Sequence, residues 1–364
     1  MFAKLYRSIR QMWGKLPAFV ALTALVASGL VATEAPLPAN AAIVTNNLVM
    51  NLDGTDASSL PASGNWSSIS PASGSFSGAI SGATRAGGTY GGLNFDANID
   101  YVNFGSNTGS IPGSMTFEAW INPGNMVANK WSIIASRWFD SPTVANTTSQ
   151  DWHFSIMHNG TTANLQLDAT TQSAPLRGNT SFPLATANKW FLVGFKFDSA
   201  AGTAQLFVNG VADSNPTTMS HNASTVPQFC LGDGRTNGIT NPLAFNGQIS
   251  KVRMYNAALT SAQMAQNFLA DSDFYGIAPV NTVAPAISGL AKVGKTLTTD
   301  GGTWGAGDST GTTTSYQWQT SPNKSSWVNI SGATSSTYTI ASGDVSNYIR
   351  LAVTKSNSAG PVTA

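Results

Sequence analysis

Charge is scarce in this chain. Only 10% of its 364 residues are Asp, Glu, Lys or Arg, against roughly 25% in an average soluble domain, and Gly, Ser, Thr and Asn stand in their place. The formal charge is +1, and without residues 1–41, which hold four of the Lys/Arg and one of the Glu, it is −2. A near-neutral chain with no basic cluster lacks the phosphate-neutralising surface on which nucleic-acid affinity rests, so nucleic acid is set aside as a partner. Cysteine occurs once, at Cys230. No intrachain disulfide can form, and stability must come from the size of the core. Flanked by Phe229 and Leu231, Cys230 reads as a small buried hydrophobe. Of the three histidines, His153 and His158 are five apart on a strand-like run, so they point to opposite faces and cannot chelate one ion together. Beyond residue 41 the chain has a single glutamate, Glu118, which leaves it poor in the paired carboxyls that glycoside hydrolysis uses. The G-x-S-x-G and phosphate-loop patterns are missing as well.

Long apolar runs are equally scarce. The one candidate, Ala18 to Ala32, follows Lys4, Arg7, Arg10 and Lys15 and precedes the small-x-small triplet Ala39-Asn40-Ala41. That order reads as a cleaved export signal over residues 1–41. A membrane anchor needs about 20 apolar residues, and this run is shorter and gives way to Glu34, Pro36 and Pro38. No membrane span is expected in the mature chain.

What is abundant is the vocabulary of β-structure. Aromatics recur throughout, which argues against disorder, and strand-like runs alternate with turns. Asn159-Gly160 and Asn209-Gly210 mark two hairpins, because both central residues of a type I′ turn need positive φ. Phe191, Val193, Phe195 and Phe197 fall at period two, as a half-buried strand requires. In Phe245 to Leu259, Ile249 and Val252 have opposite parity, which predicts a bulge or burial on both faces. Thr260-x-x-Gln263 is a capping box opening a short helix, expected on the edge of a sandwich. Residues 43–276 form the first unit and 277–285, with Pro279 and Pro285, a semi-stiff linker. Residues 286–364 form a second unit, a small sandwich around one buried tryptophan, Trp318.

Leu48 to Ser59, Gly92 to Phe104, Met115 to Ile121, Lys189 to Asp198, Leu206 to Gly210 and Phe245 to Gln263 together resemble the bacterial laminin-G-like, concanavalin A-like lectin/glucanase domains. The resemblance spans nearly all of 43–276 and implies a jelly-roll sandwich of two antiparallel sheets. Val293 to Leu297, Gly302-Thr303-Trp304, Tyr316-Gln317-Trp318, Ile330 to Thr334 and Asn357 to Gly360 resemble immunoglobulin-like bacterial repeats. Such repeats occur in tandem, and the chain ends about where another would begin, so a truncated array is among the expectations.

Glucanases of the resembled family carry an E-x-D-x-E strand. Here Glu118 stands without such partners, so no catalytic residue is expected and Glu118 reads as a semi-buried, hydrogen-bonded structural acid. Lectins of the family bind sugar at a concave face or loop rim through an aromatic platform and polar neighbours. Arg137, Trp138, Asp140, Asp151 and Trp152 offer that mixture; the competing reading buries Trp138 and Trp152 in the core. Relatives hold one structural calcium, for which Asp53, Asp56 and Asp233 are the candidate donors. Lys251, in the closing strand where relatives carry acids, counts against it. The expected function is that of a secreted or surface-displayed, non-catalytic protein binding a glycan or another cell-surface polymer. The alternatives are a structural spacer, surface-layer or appendage component, or an accessory region of a larger extracellular enzyme.

Overall fold

Residues 42–96, 100–106, 113–138, 150–169, 174–184, 189–221, 228–232, 244–308, 312–357 and 359–364 are described by a computed structural model. The first unit runs β1 (Leu48–Asp53), β2 (Trp66–Ser67), β3 (Ser77–Ser81), β4 (Thr84–Arg85), β5 (Leu93–Asp96), β6 (Tyr101–Ser106), β7 (Met115–Pro123), β8 (Lys130–Trp138) and β9 (Gln150–His158). It continues through β10 (Ala163–Ala169), β11 (Leu176–Phe182), β12 (Phe191–Asp198), β13 (Thr203–Val208), β14 (Val211–Ala212), β15 (Thr217–Thr218), β16 (Gln228–Gly232) and β17 (Asn246–Tyr255) to helix α1 (Ser261–Asp271).

Two sheets result. One has nine strands in the order β14-β13-β12-β7-β17-β5-β4, with β1 also paired to β17 and β15 to β13; the other has eight, β11-β10-β9-β8-β16-β6-β3-β2. Their inner faces share one core, in which Phe117, Phe195, Trp152, Phe154 and Phe229 interlock. Phe117 stacks on Phe195 at 5.7 Å and Trp152 meets Phe195 edge-on at 4.9 Å. Ring pairs of this kind add stabilisation beyond their buried area, and this core stands in for the disulfides the chain lacks. The parity conflict in β17 resolves as a bulge between Ile249 and Lys251. Ile249, Val252 and Met254 thereby all reach the core.

Helix α1 starts where the capping box predicts. The Gln263 N–H donates to Thr260 Oγ1 at 3.2 Å, and the Thr260 N–H donates to Gln263 Oε1 at 2.9 Å. Thr260→Ala should cost about 1 kcal/mol, read as a lower urea midpoint at unchanged slope. The helix does not lie at an edge. Met264, Asn267, Phe268 and Asp271 are buried against the outer face of the nine-stranded sheet, with Trp120 and Trp190 of that face. Gly194 of β12 answers to the sheet rather than the helix: a Cβ there would stand 2.6 Å from Phe117 O of β7.

The second unit comprises β18 (Asn281–Val283), β19 (Ile287–Ser288), β20 (Thr296–Thr299), β21 (Thr303–Trp304), β22 (Thr313–Ser321), β23 (Val328–Asn329), β24 (Thr337–Thr339), β25 (Tyr348–Asn357) and β26 (Gly360–Thr363). Sheets β19-β20-β24 and β23-β22-β25-β26 enclose Trp318, which is fully buried and donates its indole N–H to Ser335 O at 2.9 Å. The proline-flanked segment 277–285 is not a free linker, because β18 within it pairs with β21. The units also touch: Ala306 packs with Trp120, Trp190 and Tyr275, and the Gly307 N–H donates to Ser272 Oγ at 3.1 Å.

Candidate functional site on the eight-stranded sheet

Alternation along β9 sends Trp152, Phe154 and Ile156 into the core, so His153, Ser155 and Met157 project from the opposite, outer face. Register then assembles rows across neighbouring strands. Ser136 of β8 stands opposite His153, and His153 opposite Asp168 of β10. Cys230 of β16 stands opposite Ser136 on one side and Asn103 of β6 on the other. Ile133, Ser155, Gln166 and Arg177 form the adjoining row, followed by Trp131, Met157, Asn164 and Ser181.

The chemistry of this face is polar, with one aromatic. His153 Nε2 lies 2.9 Å from Asp168 Oδ2, and Gln166 Nε2 donates to the same oxygen at 2.7 Å. Burial alone would raise the Asp168 carboxyl; the hydrogen bonds from His153 and Gln166 and the Arg177 charge outweigh it and hold the group below its ordinary range. Asp168 is therefore a carboxylate and an acceptor at neutral pH. Trp131 is 37% exposed and meets the His153 ring edge-on at 6.2 Å.

Three polar atoms on this face are unsatisfied. Ser136 Oγ, Ser155 Oγ and Gln166 Oε1 meet no hydrogen-bond partner, although none of the three residues is more than 2% exposed. A buried hydroxyl or amide left without a partner costs about 1–3 kcal/mol. All three atoms are closed off from solvent, so a buried water is what would complete their bonding. Ser136, His153 and Asp168 share one cross-strand row, but Ser136 Oγ makes no bond to the imidazole, as a nucleophile–base pair would.

The residues expected to form an aromatic platform lie elsewhere. Trp152 is fully buried in the shared core and presents no ring face to a sugar. Arg137 stands opposite Trp152, so it too turns inward. Its Nη1 donates to Asp151 Oδ2 at 2.8 Å, and both residues are buried to 1% or less. His221 completes the cluster, with Nδ1 at 3.1 Å from Asp151 Oδ1 and Nε2 at 2.9 Å from Gly113 O. The Trp138 side chain and Asp140 fall outside the described residues. Strand alternation in Trp152 to Met157 was the available signal that Trp152 belongs with Phe154 and Ile156. The outer side of the sheet, with His153, Gln166, Asp168 and Trp131, was missed because its members come from different strands.

Of the three expected calcium donors, Asp53 and Asp56 are already engaged within the chain. Asp53 Oδ2 faces Lys251 Nζ at 3.2 Å, and its Oδ1 accepts from the N–H and hydroxyl of Thr55. Asp56 Oδ1 accepts from the N–H and hydroxyl of Ser58, which hold that carboxyl below its ordinary range. An ammonium beside Asp53 supplies the positive charge an ion would bring and repels a second cation. Asp233 lies outside the described residues.

Glu118 is fully rather than half buried. Its Oε2 accepts from Asn267 Nδ2 at 2.7 Å and its Oε1 has no partner. Burial pushes its carboxyl up to about 7, against the opposing pull of Arg253 and Asn267.

Residues 96–265 match the family model described as the concanavalin A-like lectin/glucanases superfamily, and residues 291–364 match a domain of unknown function (DUF8696). The second unit is a small all-β unit, and its match to that model does not address the immunoglobulin-like resemblance. No curated protein matches the chain. Among solved structures, a mutant of Trypanosoma rangeli sialidase displaying trans-sialidase activity is 16% identical with a TM-score of 0.45, over 65% of this chain and 34% of that one. Domain 4 of AbnA, a GH43 extracellular arabinanase from Geobacillus stearothermophilus, in complex with arabinotriose, is 16% identical with a TM-score of 0.41, over 62% of this chain and 98% of that one. The binding domain of Paraclostridial Mosquitocidal Protein 1 is 13% identical with a TM-score of 0.46, over 86% and 76%. The match to the sialidase spans about a third of that enzyme's chain.

Proposed function

We propose that this is an exported, non-catalytic glycan-binding protein whose ligand lies on the outer face of the eight-stranded sheet. Export rests on the basic-apolar-small order of residues 1–41. The family model matched by residues 96–265 includes lectins, and the observation that carries the reading is the half-open Trp131 set edge-on to His153, whose ring reaches the part-exposed Asp168 carboxylate. Sugar hydroxyls donate and accept at once, so they suit an imidazole and a carboxylate held at fixed spacing on a rigid sheet. The indole of Trp131 supplies the apolar surface for a pyranose face. Non-catalysis rests on the sealed position of Glu118 beneath helix α1 and on the missing bond between Ser136 and His153.

A glycan array probed with the purified chain is expected to give specific hits at micromolar affinity. Trp131→Ala should weaken them about tenfold, the equivalent of ~1.4 kcal/mol, and Gln166→Ala by a similar factor, with the thermal midpoint of Trp131→Ala unchanged. An array with no hits, or hits indifferent to both substitutions, would remove this face as the site. Release of reducing sugar from any bound glycan would overturn the non-catalytic reading.

A further inference from the structure

We infer that the binding surface continues past Trp131, around the rim of the sandwich, into a second subsite made of carboxamides, and that the ligand is accordingly a neutral polysaccharide chain rather than a single terminal sugar. The inference rests on the glycan reading above. It starts from a row on the nine-stranded sheet: Thr84 pairs with Asn94, Asn94 with Gln248, and Gln248 with Asn122, across β4, β5, β17 and β7. Leu93, Phe95, Ile121 and Ile249 point into the core, so this row faces outward. Gln248 Nε2 donates to Asn94 Oδ1 at 2.7 Å. That bond orients both amides and leaves the Asn94 N–H groups and the Gln248 carbonyl for another molecule.

The row opens on a cavity of about 260 Å³ walled by Asn94, Asn122, Asn246 and Gln248, with Phe95 and Pro123 as its apolar contacts. That is below the roughly 300–1,000 Å³ of pockets for drug-sized ligands, a size for one sugar unit. Among the described residues none of the side chains lining it is ionised, so a sialate or phosphate finds no counter-charge from them and an uncharged polyol loses nothing. The floor must be glycine at Gly247 (φ +140°), where a Cβ would stand 2.3 Å from Asn122 O.

Asn246 ties this cavity to the first site. It also lines the adjoining hollow whose wall includes Trp131. Its Nδ2 donates to Asn125 O at 2.7 Å and its N–H to Ser132 Oγ at 3.2 Å, next to Trp131 in β8. Amide row, Asn246, Trp131 and the His153 face follow one another along the surface. An uncharged carboxamide subsite on the far side of an aromatic from the His153 face fits consecutive units of one chain, each adding a small increment to affinity.

The test is calorimetric titration of the full chain with xylo-, cello-, arabino- and manno-oligosaccharides of two to eight units. For whichever series binds, affinity should rise with length in the wild-type protein. Asn94→Ala/Gln248→Ala should flatten that rise, losing about tenfold for the longest member and leaving the shortest unchanged, whereas Trp131→Ala should weaken all lengths. Gln248→Met, which keeps the length of the side chain, should reproduce part of the flattening if the double substitution unfolds the sheet end. Binding that depends on Trp131 but keeps its length dependence in both amide variants would overturn this inference and leave the glycan reading standing. No binding by any series would remove both.

Discussion

Asp151→Ala is expected to destabilise the protein by about 3–5 kcal/mol, the range measured when one partner of a buried ion pair is removed. Asp151 receives Arg137 on one oxygen and His221 on the other, at the end of the core where the His221 ring lies 4.6 Å from Phe197. Truncating the acid takes the counter-charge from a fully buried guanidinium. Replacing the pair by apolar residues, Arg137→Met with Asp151→Leu, should recover most of the loss, since desolvation offsets much of the Coulomb gain in a buried pair. The contribution also depends on pH. Burial alone would lower the His221 ring's affinity for its proton, but Asp151 and the Gly113 carbonyl, one at each ring nitrogen, outweigh it and raise its pKa. A group raised on folding contributes fully below its unfolded value and loses that contribution as the pH climbs through the folded one. Urea denaturation of the variants across neutral pH checks both statements, and a loss under about 1 kcal/mol for Asp151→Ala would refute the ion-pair account.

The second large effect belongs to Glu118. Asn267 holds one of its oxygens. Arg253, its cross-strand neighbour, directs its guanidinium instead to Asp271, which also receives Lys251 at 2.8 Å and the Trp120 indole at 3.2 Å. Between pH 4.5, the ordinary glutamate value, and about 7 the unfolded chain ionises at this residue while the folded chain keeps its proton. Stability therefore falls as the pH rises through that window, by about 3 kcal/mol, and is flat above it. Glu118→Gln cannot titrate. Relative to wild type it should be neutral at low pH and more stable by about 3 kcal/mol in mildly alkaline buffer, with folding curves at the two extremes as the readout. Identical pH slopes for the two proteins would show that Glu118 is already ionised in the fold.

The two cases differ in how legible they were. Glu118 stood out because no other glutamate follows residue 41, and a structural role followed from its company of Phe117, Ala119 and Trp120. Nothing local announced the Arg137–Asp151–His221 cluster, whose members are separated by as many as 84 residues between Arg137 and His221. Arg137 and Asp151 were read instead as the polar fringe of a sugar platform, because they flank the aromatic residues of a polar loop. The bulge in β17, the capping box of α1 and the burial of Trp318 were all readable, since parity, a four-residue motif and an isolated strand tryptophan are properties of short windows. In the segment 277–285 the prolines predicted the extension that β18 adopts, while its partner strand β21 was not legible there.

From its order of residues alone, this chain was committed to antiparallel strands, to a core rich enough in aromatics to do without disulfides, and to a scarcity of charge that leaves it no basic cluster and a single glutamate beyond residue 41. Those are consequences of composition and of period-two alternation, which each strand carries within itself. Which side chains meet across strands was decided only by register: His153 beside Asp168, Asn94 beside Gln248, Lys251 beside Asp53. A pairing between strands distant in sequence depends on the bulges, turns and core contacts of the whole sheet, and no local window contains them.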